Sequence, residues 1–222
     1  MMTRITAMSA LALLAACGSA SVAERDAAAQ TGAAAKPLTI AGLRIGMSAP
    51  EGQATLVRDG WNVRTSAGED WAATVDRETK RQRNVFPIEE PKNGIEALNA
   101  RKGDEALIVE FQPTPGGDVV KSVKYAAPAA GRTPVQIAAE MTKRYGGPGS
   151  SRVGSPTYEG NWCSGGDPCR TVLGNRHANL QAKLDDYGKL NLTLLQGIEA
   201  DEAWQASIKR AAGSRGPAKS SF

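Results

Sequence analysis

The stretch "IEALNARKGDEALIVEFQPTPGGDVVKSVKYAAP", Ile95 to Pro128, decides the fold. Lys102-Gly103-Asp104 and Pro115-Gly116-Gly117-Asp118 are turn clusters, in which glycine supplies positive φ and aspartate can bond its own backbone. Between them Ala106, Ile108, Glu110 and Gln112 alternate against Leu107, Val109, Phe111 and Pro113. Beyond them Val119, Lys121, Val123 and Tyr125 alternate against Val120, Ser122 and Lys124. A period of two over consecutive segments predicts an antiparallel meander with one packed face and one wetter face.

Helical signals flank this meander. In "GMSAPEGQATLVRDGW" (Gly46 to Trp61), Ser48 and Glu51 form an S-x-x-E capping box and Gly60 is a stop. In "GRTPVQIAAEMTKRYGGPG" (Gly131 to Gly149), Thr133 and Gln136 form a T-x-x-Q box with Pro134 in the first turn. Ile137, Met141 and Tyr145 follow on one helical face. A further helix is expected from Ala67 to about Arg81, capped at Ser66 with Glu69, and a last one near Glu199 to Ala212, with Trp204 and Ile208 four apart. The segments "WNVRT", "SPTYEGNWC", "CRTVLG", "ANLQAKLDDY" and "KLNLTLLQG" read as strands, with a turn at Tyr187-Gly188-Lys189. The two capping boxes lie 85 residues apart, between Ser48 and Thr133. The expected fold is therefore α+β: two tandem helix-plus-antiparallel-sheet units, 38–128 and 129–212, with helices packed on one sheet face.

The first 16 residues carry Arg4 and then an apolar run from Ala7 to Ala16, too short for a bilayer span of about 20 residues. This is the pattern of a secretory leader. The following stretch to Pro37 is small and polar, predicting a disordered tether with a span of about 25 Å. Residues 213–222 read as a second flexible tail. Leu14-Ala15-Ala16-Cys17 resembles the lipobox of bacterial lipoproteins. The resemblance implies cleavage before Cys17, diacylglycerol on its sulfur and acylation of the new amino terminus, hence a membrane attachment. Gly18 rather than aspartate follows, which in that family's sorting pattern implies the periplasmic face of the outer membrane.

"GLRIGMSAPEGQATL" (Gly42 to Leu56) resembles the first helix of small outer-membrane lipoproteins of the barrel-assembly accessory type. "KRYGGPGS" (Lys143 to Ser150) is similar to the Gly-x-Pro helix exits of the same superfamily. That superfamily also includes β-lactamase inhibitor proteins built from two tandem helix-plus-sheet units. What it implies is an assembly or inhibitory role exercised by binding.

Loss of the leader removes Arg4 and no acid, lowering the formal charge from +4 to +3. So small a charge gives no nucleic-acid footprint. The denser basic runs, Arg77 to Arg83 and Ile208 to Lys219, read as solvated faces. His177 is the single histidine, no serine lies in G-x-S-x-G, and "YGGPGSS" lacks the Lys-Ser/Thr of a phosphate loop. Glu89-Glu90 and Asp185-Asp186 are sequence neighbours, which point to opposite faces of a strand, and Glu69-Asp70 suits a helix start. No catalytic residue, metal ligand or cofactor is expected.

"NWCSGGDPC" (Asn161 to Cys169) holds the two cysteines other than Cys17. Two thiols cannot build a structural zinc site and the spacing is not Cys-x-x-Cys, so in an oxidising compartment Cys163 and Cys169 are expected to pair as a staple. Trp162 beside this loop, with Tyr158, is a candidate partner-contact residue. The expected function is a non-catalytic, lipid-anchored envelope protein that binds another protein or aids envelope assembly. The alternative is an inhibitor of a periplasmic or secreted hydrolase, and an enzyme is a distant third.

Overall fold

The Ile95–Pro128 stretch folds as three consecutive strands, β2 (Gly94–Lys102), β3 (Glu105–Thr114) and β4 (Gly117–Pro128), with turns at the two expected clusters. Gly103 and Gly117 take φ of 58° and 110°, in the positive range that favours glycine. The computed structural model describes residues 37–86, 90–165, 169 and 175–215. The expected leader, Cys17, the tether up to 36, the end of the tail from 216 and "CRTVLG" beyond Cys169 lie outside the described residues.

β1 (Asn62–Gly68) pairs with β2, and β4 pairs across seven residues with β8 (Lys189–Leu195). The sheet continues through β7 (Asn179–Leu184) and β6 (Tyr158–Cys163) to β5 (Ser150–Val153). The result is one eight-stranded antiparallel sheet in the order β1-β2-β3-β4-β8-β7-β6-β5. With helices α1 (Ala49–Arg58), α2 (Trp71–Gln82), α3 (Pro134–Tyr145) and α4 (Ile198–Ser214), the described residues form a mixed α+β fold.

Two helix starts follow the sequence signals. Ser48 Oγ accepts from the Glu51 amide at 3.4 Å, and Thr133 and Gln136 exchange both bonds of a capping box. α2 does not begin at Ala67. The chain stays extended to Gly68, through a bulge between Ser66 and Ala67, and Asp70 caps the helix by accepting from the Ala73 amide at 2.8 Å. Close backbone contact explains this: a Cβ at Gly68 would lie 2.8 Å from the Glu96 nitrogen, so Gly68 is held in the sheet. β5 is not announced by its sequence, since "SSRV" has a single apolar residue and every position is exposed.

Registers sort the sheet into two faces. Leu98, Leu107, Val109, Val123, Leu180, Leu192 and Leu194 lie on one face and are nearly inaccessible. Leu56 of α1 and Ile137 and Met141 of α3 belong to the same core cluster, as do Ile40, Leu43 and Met47 of the preceding segment. Burying each such side chain contributes about 1.5–3 kcal/mol. α2 and α4 pack on each other at the β3–β4 hairpin end, where the Trp204 indole donates to the Pro113 carbonyl at 2.7 Å.

Candidate functional site: the open face of the sheet

The core occupies one face of the sheet, and side chains of opposite parity project from the other. One cross-strand row runs Arg64, Asn99, Ile108, Lys124, Thr193, Gln181, Asn161 and Ser150, one residue from each strand. The next runs Asn62, Arg101, Ala106, Ala126, Asn191, Lys183, Glu159 and Arg152. Every residue in both rows is exposed or half-buried, so no described element covers them. At about 4.8 Å between strands, each row spans about 34 Å.

This face is polar and cationic. Arg64, Arg101, Lys124, Arg152, Lys183 and Lys189 share it with two carboxylates, Glu110 and Glu159. Lys124 pairs with Glu110 at 2.8 Å and Lys183 with Glu159 at 3.5 Å. Among the described residues Arg64, Arg101, Arg152 and Lys189 form no ion pair, so the uncompensated charge is positive, with the three arginines toward the sheet's margins and Lys189 at the start of the central strand β8. At the β1–β3 end the face dips into a depression of about 640 Å3 lined by Asn62, Arg64, Ser66, Asn99, Arg101 and Ile108.

Ser122 donates to Glu110 at 2.6 Å. Partial burial raises the Glu110 pKa, but hydrogen bonds from Lys124 and Ser122 together outweigh it and hold the carboxyl below its ordinary value. A carboxylate so stabilised is a poor general base at neutral pH. On the core side, a cleft of about 270 Å3 lies among Trp61, Tyr125, Arg132, Glu140, Met141 and Leu192. Burial and the nearby Glu105 push the Tyr125 phenol up to about 12, and Arg132 is taken up by Glu140 at 2.8 Å.

Tyr158 and Trp162, expected as partner contacts, need correction. They are 1% and 3% exposed, because β6 registers them with Leu184 and Leu180 on the core face. Gly160 between them also faces the core, where a Cβ would come within 2.8 Å of the Trp162 ring. Cys163 and Cys169 stand at disulfide distance, with Cα atoms 5.5 Å apart. Cys17 lies outside the described residues. His177 sits 3.4 Å from Glu199 and against Gly165, beside the cysteine loop. Of the acidic neighbours, Asp70 caps α2, Asp185 accepts the Tyr187 and Lys189 amides in a turn, and Glu89 lies outside the described residues. In the Arg77–Arg83 run, Arg77, Lys80 and Arg81 are ion-paired, to Glu69, Asp76 and Glu78 respectively. Among the described residues no group of three His, Cys, Asp or Glu is placed to hold a metal, and no helix is long and apolar enough to cross a membrane.

The signal for the open face was present in the alternate positions of "NVRTS", "LNARK" and "VKSVKY", where basic and amide residues recur. Only strand register brings them into shared rows. No protein-family model, curated protein or solved structure matches this chain.

Proposed function

We propose that this chain is a non-catalytic, lipid-anchored protein of the cell envelope, held through Cys17 at the periplasmic face of the outer membrane, that binds another protein through its open sheet face. The observation that carries the binding reading is the uncovered double row of cations and amides crossing all eight strands. Hydrogen-bonding side chains on a rigid sheet are pre-organised, so less ordering cost opposes association. The anchoring reading rests on Leu14-Ala15-Ala16-Cys17 and on the small, polar stretch that follows. The ion-paired environment of Ser122 and Glu110 supports a role without catalysis.

The finer architecture belongs to the same reading: two tandem units, 38–128 and 129–212, each opening on a capped helix and continuing into four strands. The sheet order supports it, because the first meander runs outward-in to β4 and the second returns from β5 to β8, so that the last strands of the two halves adjoin. α1 and α3 contributing to one core supports the helices of the two units sharing a face. The same tandem build favours inhibition of a periplasmic hydrolase as the second reading.

Fractionation and affinity purification test these readings. Wild-type protein is expected in the membrane fraction and Cys17→Ala in the soluble fraction. Purification from detergent-solubilised envelopes is expected to recover one stoichiometric protein partner. Recovery of the chain alone in repeated trials overturns the binding reading, and retention of Cys17→Ala in the membrane overturns the anchor. Inhibition of one enzyme in a panel of periplasmic hydrolases would favour the second reading.

A further inference from the structure

The open face is not uniform. Lys124 on β4 and Lys183 on β7 are paired with Glu110 and Glu159, whereas its β1–β2 end holds two arginines with no acidic partner among the described residues. Arg64 lies opposite Asn99, and Arg101 opposite Asn62, so the two guanidinium groups are diagonal neighbours across one strand pair. Both are exposed and both line the 640 Å3 depression. Asn99 donates to Ser66 at 3.2 Å, which fixes an amide on its floor.

We propose that this depression is an anion-recognition subsite that seats carboxylate side chains of an acidic protein partner, with Arg64 and Arg101 supplying the guanidinium forks. The inference rests on reading the open face as a protein-binding surface and names the chemistry of what binds there. A guanidinium presents two parallel N–H donors that match a carboxylate, and Arg is the side chain that does this with geometric as well as electrostatic selectivity. Two such forks on neighbouring strands of a rigid sheet suit two acidic side chains carried by one partner segment.

Other anionic partners fit the surroundings less well. A strand that stacks nucleic-acid bases needs aromatic rings on the exposed face. Here the aromatic residues of the sheet, Phe111, Tyr125, Tyr158 and Trp162, are all on the core face. A membrane-inserting surface needs large apolar groups, and Ile108 is the single one in the two open rows. The amides of Asn62 and Asn99 both donate and accept, which suits peptide groups flanking a carboxylate better than phosphates that only accept.

The test uses the full chain and fluorescein-labelled octaglutamate, followed by fluorescence anisotropy at low and physiological salt. Saturable binding is expected, weakened at least tenfold in the double variant Arg64→Glu/Arg101→Glu. The charge-matched double variant Lys143→Glu/Arg210→Glu, on two helices, is expected to bind as wild type does. Arg64→Lys/Arg101→Lys keeps the charge without the forks and is expected to fall in between. Circular dichroism checks that each variant is folded. Equal binding by wild type and the Arg64→Glu/Arg101→Glu variant overturns the proposal, as does equal loss in both charge-reversed variants. Tighter binding to phosphatidylglycerol vesicles or to a single-stranded oligonucleotide, lost in that same Arg64→Glu/Arg101→Glu variant, overturns it in favour of lipid or nucleic acid. A negative result here leaves the envelope purification standing, because that experiment reads recovery of a partner whatever its charge.

Discussion

Tyr158 and Trp162 share the inward face of β6 but treat their polar atoms differently. The Trp162 indole donates to the Gly146 carbonyl at 2.8 Å, and its ring lies 5.7 Å from that of Tyr145. The Tyr158 hydroxyl is buried with no hydrogen-bond partner among the described residues. Leaving such a group unsatisfied costs about 1–3 kcal/mol, so Tyr158→Phe is expected to be neutral or to stabilise by about 1 kcal/mol. Trp162→Ala should cost about 3–5 kcal/mol through lost packing. Urea denaturation of both variants checks the pair, and a Tyr158→Phe variant less stable by more than 1 kcal/mol would show that the hydroxyl is bonded. The alternation of Tyr158, Gly160 and Trp162 makes a shared face legible in the sequence. Which face points inward is not, since both rings are amphipathic and suit a surface or a core. Register with Leu184 and Leu180 settles it.

Helix starts show where local sequence is sufficient and where close packing overrides it. Thr133 and Gln136 are readable as a capping box and form one, with the Thr133 amide donating to Gln136 at 2.8 Å. Thr133→Ala should therefore cost about 1 kcal/mol. α4 starts at Gly197 with no side-chain cap, and propensity alone would favour serine there. The structure argues the reverse, because a Cβ at Gly197 would run into the Arg176 carbonyl and the His177 backbone. Gly197→Ser is expected to destabilise by about 1–3 kcal/mol, as overpacking does. Thermal unfolding of the two variants decides the matter, and a raised midpoint for Gly197→Ser would refute the steric account. Ser66 illustrates the same limit. Its S-x-x-E spacing is a sound cap, yet Asp70 takes the role because β2 keeps Ser66 in the sheet.

At the scale of the molecule, the β2–β3–β4 meander was legible because turn chemistry and a period of two are local properties. The order of the two meanders in one sheet was not, because pairing of β4 with β8 joins residues some 70 positions apart and no local signal encodes it. That junction governs how the protein should unfold. Seven β4–β8 residue pairs, the Gln196 amide donating to the Lys121 carbonyl at 3.0 Å and the Tyr145 hydroxyl donating to Thr39 at 2.8 Å tie the β1–β4 and β5–β8 segments together. Their cores are also one cluster, in which Leu98 and Val109 join Leu180 and Leu194. Exposing either half would uncover apolar surface of the other, at about 25 cal/mol per Å2. A single cooperative transition is therefore expected for the folded region. Leu194→Ala, at a fully buried site beside the junction, should destabilise by about 2–5 kcal/mol. That loss should lower the denaturation midpoint of amides in β2 and in β6 equally, as read by NMR through a urea series. If β2 amides kept the wild-type midpoint while β6 amides shifted, the two halves would be separate folding units and the shared core would be incidental.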